Sequence, residues 1–173
     1  MQVASMNPYQ IHPEASVEHD SGKFWQIDEK TILSPPDGAG YDLALDVFFN
    51  ARHYVVMDGH KGPEHAHSYR MRVRCQSRTL SSDDQTVIGY HILNERVNDI
   101  LQIYNNALLN NLPPFQKLQP TTEVLAAITY QQLKHMLADL PIHLINVTLW
   151  EAPTKAITYS NGLEIFQEQK GIP

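Results

Sequence analysis

The sequence has a single cysteine in 173 residues and fewer basic than acidic side chains. With Cys75 alone, no intrachain disulfide can form, and a reducing compartment is the natural expectation. No apolar stretch approaches the roughly 20 residues that span a bilayer, so no membrane association is expected. The first residues lack a basic stretch followed by an apolar core. No secretory leader is therefore expected, and the expected location is cytoplasmic. The net charge of -6 argues against non-specific nucleic-acid binding. There are no internal repeats. What is present, at 42% hydrophobic and 18% charged residues, is the composition of one soluble domain able to bury its own core.

Against that plain background, three histidines stand out. His53 ends one alternating run, and His65 and His67 begin the next. Residues i and i+2 of a strand share a face, so His65 and His67 aim at one point. His53 reaches the same point if the two runs pair as a hairpin. A lone strand histidine is ordinarily a polar surface residue, and nine His make one His-x-His an ordinary event. The flanking pattern changes the balance. Leu43, Leu45, Val47, Phe49 and Ala51 share the face of His53, while Tyr69, Met71, Val73 and Cys75 continue that of His67. A buried face that ends in three imidazoles calls for a metal, and three neutral imidazoles with an open fourth position suit catalytic zinc.

The rest of the chain reads as follows. Residues 1–40 form an N-terminal extension, partly ordered, in which Phe24–Ile27 is a short strand or anchor. Ser34-Pro35-Pro36-Asp37-Gly38 closes it. The main domain spans 41–165, and 166–173 is a tail. Strands are expected at about 41–56 and 66–79, joined by the turn-rich segment Asp58–Glu64. Leu93, Val97, Ile100, Leu101, Tyr104 and Leu108 recur at helical spacing and predict a helix over about 91–110. Pro120-Thr121-Thr122-Glu123 has the form of a helix start, with a Thr cap and an acidic first turn. That second helix runs to about 138. Two strands follow, at about 142–151 and 155–160. The order strand-strand-helix-helix-strand-strand predicts an α+β fold: a four-stranded antiparallel sheet with both helices on one face. Such a sheet has two free edges, which pairing between subunits would protect.

These residues resemble the 6-pyruvoyl-tetrahydropterin synthase and 6-carboxytetrahydropterin synthase family, zinc enzymes of the tunnelling fold. The resemblance rests on Phe49-Asn50-Ala51-Arg52-His53, on His65-Ala66-His67-Ser68-Tyr69, on Pro120-Thr121-Thr122-Glu123-Val124-Leu125-Ala126, and on Val147-Thr148-Leu149-Trp150-Glu151. It covers about 41–160, with all four motifs in family order. It implies that His53, His65 and His67 hold zinc. It implies that Glu151 anchors a pterin by accepting from its amino-pyrimidine edge, with Thr121, Thr122 and Glu123 as helpers. It also implies a homo-oligomer, a trimer or hexamer whose sheets close into a barrel, with Arg70, Arg72 and Arg74 lining its axis.

The departures from the family pattern bear on mechanism. The loop before His65 reads Gly59-His60-Lys61-Gly62-Pro63-Glu64 and has no catalytic cysteine. The family's Asp-His pair is replaced by Asn105-Asn106-Ala107, and a further family Asp by Gly89. Cys75 lies too far along its strand, at about 3.3 Å per residue, to supply the missing thiol. Glu64 and His60 are the replacement candidates for moving a proton, against a plain reading of both as solvated loop residues. The leading expectation is a zinc-dependent pterin synthase or lyase acting on dihydroneopterin or its triphosphate. In bacterial relatives the setting is the synthesis of queuosine or related deazapurines. The alternatives are an aldolase-like enzyme that uses Glu64 and a non-catalytic homologue that binds zinc and pterin.

Overall fold

Strict alternation from Tyr41 to His53 builds the first strand, β1, and the same alternation from His65 to Ser77 builds its partner. The computed structural model describes residues 26–162. The expected extension is therefore described only from Gln26 onward. Most of the Phe24–Ile27 anchor's context and the tail at 166–173 lie outside the described residues. A five-residue helix, α1 (Glu29–Leu33), is capped by the Asp28 carboxylate, which accepts from the Lys30 N–H at 3.1 Å.

After β1 the chain makes a small hairpin, β2 (Val56–Met57) and β3 (His60–Lys61). Asp58 and Gly59 turn it with φ of 51° and 76°. Two successive positive φ values suit a tight two-residue hairpin, and Asp-Gly tolerates them. Strand β4 (His65–Ser77) returns antiparallel to β1. Helix α2 (Tyr90–Tyr104), the two-residue strand β5 (Ala107–Leu108), helix α3 (Thr122–Met136), and strands β6 (His143–Ala152) and β7 (Lys155–Ser160) complete the order. The sheet runs β5-β1-β4-β6-β7.

Four long antiparallel strands and two helices match the expected class. Two details differ. A fifth strand, β5, pairs parallel with the edge of β1. Helix α2 stops at Tyr104 instead of continuing to about 110. The reason lies in Asn105 and Asn106. Asn106 takes a φ of 61°, which ends the helix, and its N–H donates to the Asn50 carbonyl at 2.6 Å. The Asn105 side chain accepts from the Asn50 N–H at 3.1 Å. The edge of β1 captures the chain before another helical turn can form.

The core lies between the sheet and the two long helices. Leu43, Val47 and Phe49 from β1, Tyr69, Met71, Val73 and Cys75 from β4, and Val147 and Leu149 from β6 form its floor. Leu93, Val97, Ile100 and Leu101 from α2, with Leu125, Ala126, Tyr130 and Leu133 from α3, cover it. Among the described residues, no helix is long and apolar enough to cross a membrane.

The outer face carries the arginine row. Arg70 reaches Asp46 at 2.6 Å, Arg72 meets the same carboxylate at 2.7 and 2.9 Å, and Arg74 pairs with Asp42. Arg70 also sits 4.7 Å from the centre of the Trp150 ring. The positive row is thus answered across the strand pair by two aspartates.

Two measurements follow from this packing. Leu125→Ala should cost about 2–5 kcal/mol in urea unfolding, because Leu125 is fully buried and its loss leaves a cavity. Hydrogen bonds from Arg72 and then Arg70 hold the Asp46 carboxyl down to about 2, below its ordinary value of 3.8. Its stabilising contribution is complete above pH 4 and lost as the pH falls toward 2. Unfolding of the wild type should therefore show a steeper acid loss across pH 4 to 2 than unfolding of Asp46→Asn. Parallel pH profiles would show that the pairs are screened to no effect.

Candidate metal centre

The register of β1 on β4 sets His53 directly opposite His65, and Ala51 opposite His67. All three imidazoles therefore leave the same end of the same sheet face. Each offers one nitrogen, and the three nitrogens lie within 4.8 Å of one another. Ring centroids are separated by 4.5, 5.1 and 4.9 Å.

Two of the rings are oriented by the backbone. The Pro120 carbonyl lies 2.6 Å from His53 Nδ1, and the Pro63 carbonyl lies 3.0 Å from His65 Nδ1. A carbonyl can only accept, so each Nδ1 carries the proton and each Nε2 keeps its lone pair. This is the second contact that metal-binding histidines usually make. His53 is 5% exposed, and its Nε2 is buried without a hydrogen-bond partner in the protein. Burial pushes the His53 imidazole below its ordinary value, against the opposing pull of the Pro120 carbonyl. A neutral buried imidazole with an unpartnered lone pair, facing two others, fits a metal of the zinc type.

The cluster opens into a cleft of about 680 Å³. Its other wall brings in residues distant in sequence. Thr121 caps α3 by accepting from the Val124 N–H at 3.3 Å, and the next residue, Thr122, faces the cleft. The Thr122 hydroxyl donates to Glu151 Oε2 at 2.7 Å. Glu123, in the first turn of α3, lines the cleft as well. His53, His65, His67, Thr121, Thr122, Glu123 and Glu151 are thus brought to one cavity.

Glu64 and His60 are not part of its lining. Glu64 lies in the loop immediately before β4, and its carboxylate pairs at 2.8 Å with Arg52, which alternates away from His53 on β1. His60 sits exposed in the β2–β3 hairpin, with its Nδ1 2.9 Å from the Asp58 carbonyl. Neither side chain lines the cleft that holds the three histidines.

Sequence reasoning missed two sets of residues. Thr154, Lys155, Ala156 and Ile157, from the turn into β7, line the cleft opposite the histidines. Their only sequence signal was their nearness to Glu151. Asn110 and Gln119 hold the segment after His53. The Asn110 side chain accepts from the Tyr54 N–H and donates to the Tyr54 carbonyl, at 3.0 and 2.9 Å. Gln119 makes the same two contacts with Val56, at 3.1 and 3.3 Å. The two amides stand in for a neighbouring strand and keep Val55 on the cleft.

Ligation requires unprotonated imidazole. The purified protein should hold about one zinc per chain by elemental analysis and release it below about pH 5. His53→Ala, His65→Ala and His67→Ala should each abolish stoichiometric metal. Wild type that stays metal-free after dialysis against zinc would refute the assignment.

A family profile described as 6-pyruvoyl tetrahydropterin synthase matches residues 43–162. The 6-carboxy-5,6,7,8-tetrahydropterin synthase of Aquifex aeolicus is 28% identical, over 55% of this chain and 72% of that protein. The structure of Caenorhabditis elegans 6-pyruvoyl tetrahydropterin synthase superposes with a TM-score of 0.64 at 17% identity, covering 72% of this chain and 97% of that one. The Plasmodium vivax enzyme of the same name gives 0.59 at 16% identity, covering 72% and 99%.

Proposed function

The chain belongs to the 6-pyruvoyl tetrahydropterin synthase family, and from that premise we propose that it is a zinc-dependent lyase or synthase acting on the side chain of dihydroneopterin or its triphosphate. The observation that carries this reading is one cavity holding three converging imidazoles and, across from them, a carboxylate set by a threonine hydroxyl. Zinc bound by His53, His65 and His67 would polarise a hydroxyl or carbonyl of the substrate's side chain.

The remaining roles fall to the chain's own groups. Glu151 accepts from adjacent N–H donors of the pterin ring, as a carboxylate does best when it is ordered and partly desolvated. Thr122 occupies one carboxylate oxygen and so fixes the plane of the other. Thr121 and Glu123 flank the ring at the start of α3. The Pro120 and Pro63 carbonyls keep His53 and His65 in the ligating tautomer. Proton transfer by Glu64 would require its release from Arg52 and a rearrangement of the loop around Pro63. Binding without turnover is the second reading, favoured by the engagement of Glu64 with Arg52 away from the cleft.

The assembly is part of the same proposal. The sheet ends in the two-residue β5 on one side and the six-residue β7 on the other. Edges of this kind are protected when subunits pair. A homo-oligomer, trimer or hexamer, with the arginine row facing its axis, is the arrangement we favour. Light scattering should give a multiple of the 19.7 kDa chain mass that persists on dilution.

The assay offers dihydroneopterin and its triphosphate to the zinc-loaded protein. Product from one of them is the expected result. Glu151→Ala should weaken pterin binding by about tenfold or more while metal content stays unchanged. Glu64→Ala and His60→Ala should leave turnover within about threefold, because neither side chain lines the cleft. A loss of about 10²–10⁴-fold in either would show that the loop does bring that group to the substrate. Pterin binding without product from either compound would establish the second reading.

A further inference from the structure

The cleft has one charged group to which the roles above give no task. Lys155 lines the wall opposite the histidines, and among the described residues it is the only lysine or arginine on the cleft. The pairing of β6 with β7 puts it beside Glu151. Leu149 pairs with Ile157 and Val147 with Tyr159, and all four side chains pack on the core. Residues two apart on a strand share a face, so Glu151 and Lys155 continue those two rows past the end of the core. Between Trp150↔Ala156 and Ala152↔Lys155 the register shifts, which leaves Glu151 as the extra residue of a β-bulge. Bulges re-aim a side chain next to a site. The two charges are opposite in sign and adjacent, yet among the described residues Lys155 forms no ion pair. One oxygen of Glu151 is held instead by the Thr122 hydroxyl, at 2.7 Å. The cleft thus offers an acceptor and a donor side by side, each with capacity left for a ligand.

We propose that Lys155 is a specificity-determining residue: its ammonium donates to a ring carbonyl next to the N–H groups that Glu151 accepts, so that the pair selects a ligand with a lactam edge. This rests on the reading of Glu151 as the pterin anchor and deepens it by naming the edge that is read. A carboxylate alone accepts from any pair of adjacent N–H donors. A carboxylate with an ammonium beside it accepts from N–H and donates to C=O in one fixed order, which a lactam matches and a ring without the carbonyl does not. An anionic tail on the ligand is the other partner an ammonium could take. The position of Lys155 opposes that. The substrate's side chain has to reach the three imidazoles, which stand on the other wall, and a phosphate at its far end lies beyond them. Lys155 is instead beside the carboxylate that holds the ring.

The test compares three ligands that share the ring and differ in the tail: pterin, neopterin and neopterin triphosphate. Their binding to the zinc-loaded protein is read by ligand fluorescence. Lys155→Met keeps the reach of the side chain and removes its donor and charge. It should weaken binding of all three by the same factor, about tenfold, with metal content unchanged. A loss confined to the triphosphate would overturn the proposal and assign Lys155 to the tail. No loss for any of the three would overturn it and leave Lys155 as a solvated rim residue. A crystal structure with neopterin bound supplies the second readout. Lys155 Nζ should lie within about 3.2 Å of the ring carbonyl oxygen, and contact with Glu151 alone would also overturn the proposal. The reading on which it rests fails separately. Wild type that binds none of the three ligands would sink the pterin reading and the proposal with it, whereas wild-type binding that Lys155→Met leaves intact would sink the proposal only.

Discussion

The pairing of β1 with β4 is the constraint on which the rest of the molecule depends. Thirteen residues on each strand pair from Tyr41↔Ser77 to His53↔His65 without a shift. A slip of one residue would turn His65, His67 and Tyr69 to the arginine face and bring the arginines into the core. Both faces oppose that slip. On one, Leu43, Val47 and Phe49 bury against the helices together with Tyr69, Met71 and Val73. On the other, Asp46 accepts from Arg70 and Arg72, and Asp42 pairs with Arg74. Exposed ion pairs contribute little stability each, but a misplaced arginine in the core costs several kcal/mol. Their role is register more than strength, and the position of the three-histidine cluster follows from the register.

A second constraint couples that strand pair to the helix layer. Three consecutive residues at the start of α3 each make a different contact. The Pro120 carbonyl orients His53, the Thr121 hydroxyl caps the helix, and the Thr122 hydroxyl holds Glu151. The cap fixes where the helix begins, so the other two contacts arrive at fixed positions. The histidine cluster and the carboxylate thus share one rigid support, although they come from β1, β4 and β6. Sites built on regular elements in this way hold their geometry better than sites built on loops alone.

The segment between His53 and His65 is the part of the site that rests least on regular structure. It is held by side-chain amides. Asn110 and Gln119 each make paired contacts with a backbone residue after His53, and the Asp58-Gly59 turn closes a short hairpin. Together these contacts leave Glu64 at the foot of β4 and facing Arg52. Glu64 stays on the Arg52 side because that pairing holds its carboxylate on the far side of β1 from the three imidazoles.

Much of this was legible in the residues themselves. Alternation placed both strands, the Thr-Thr-Glu start placed α3, and i, i+2 spacing put His65 and His67 on one face, because these are local geometric rules with periods of two and 3.6. The α+β class followed from element order. What the tertiary structure decided was everything that depends on contacts between distant segments. The Asn50 backbone captured Asn105 and Asn106 and ended α2 early, which helical periodicity alone could not register. Lys155 and its neighbours joined the cleft only because β7 folds beside β6. Glu64 was lost to Arg52, a partner 12 residues away across the strand pair. Tyr69 read as an ordinary core aromatic, and only the packed core shows that its hydroxyl is buried without a hydrogen-bond partner in the protein. By itself, the sequence determined which side chains share a face. The fold determined which faces meet, because that depends on register and packing across the whole chain.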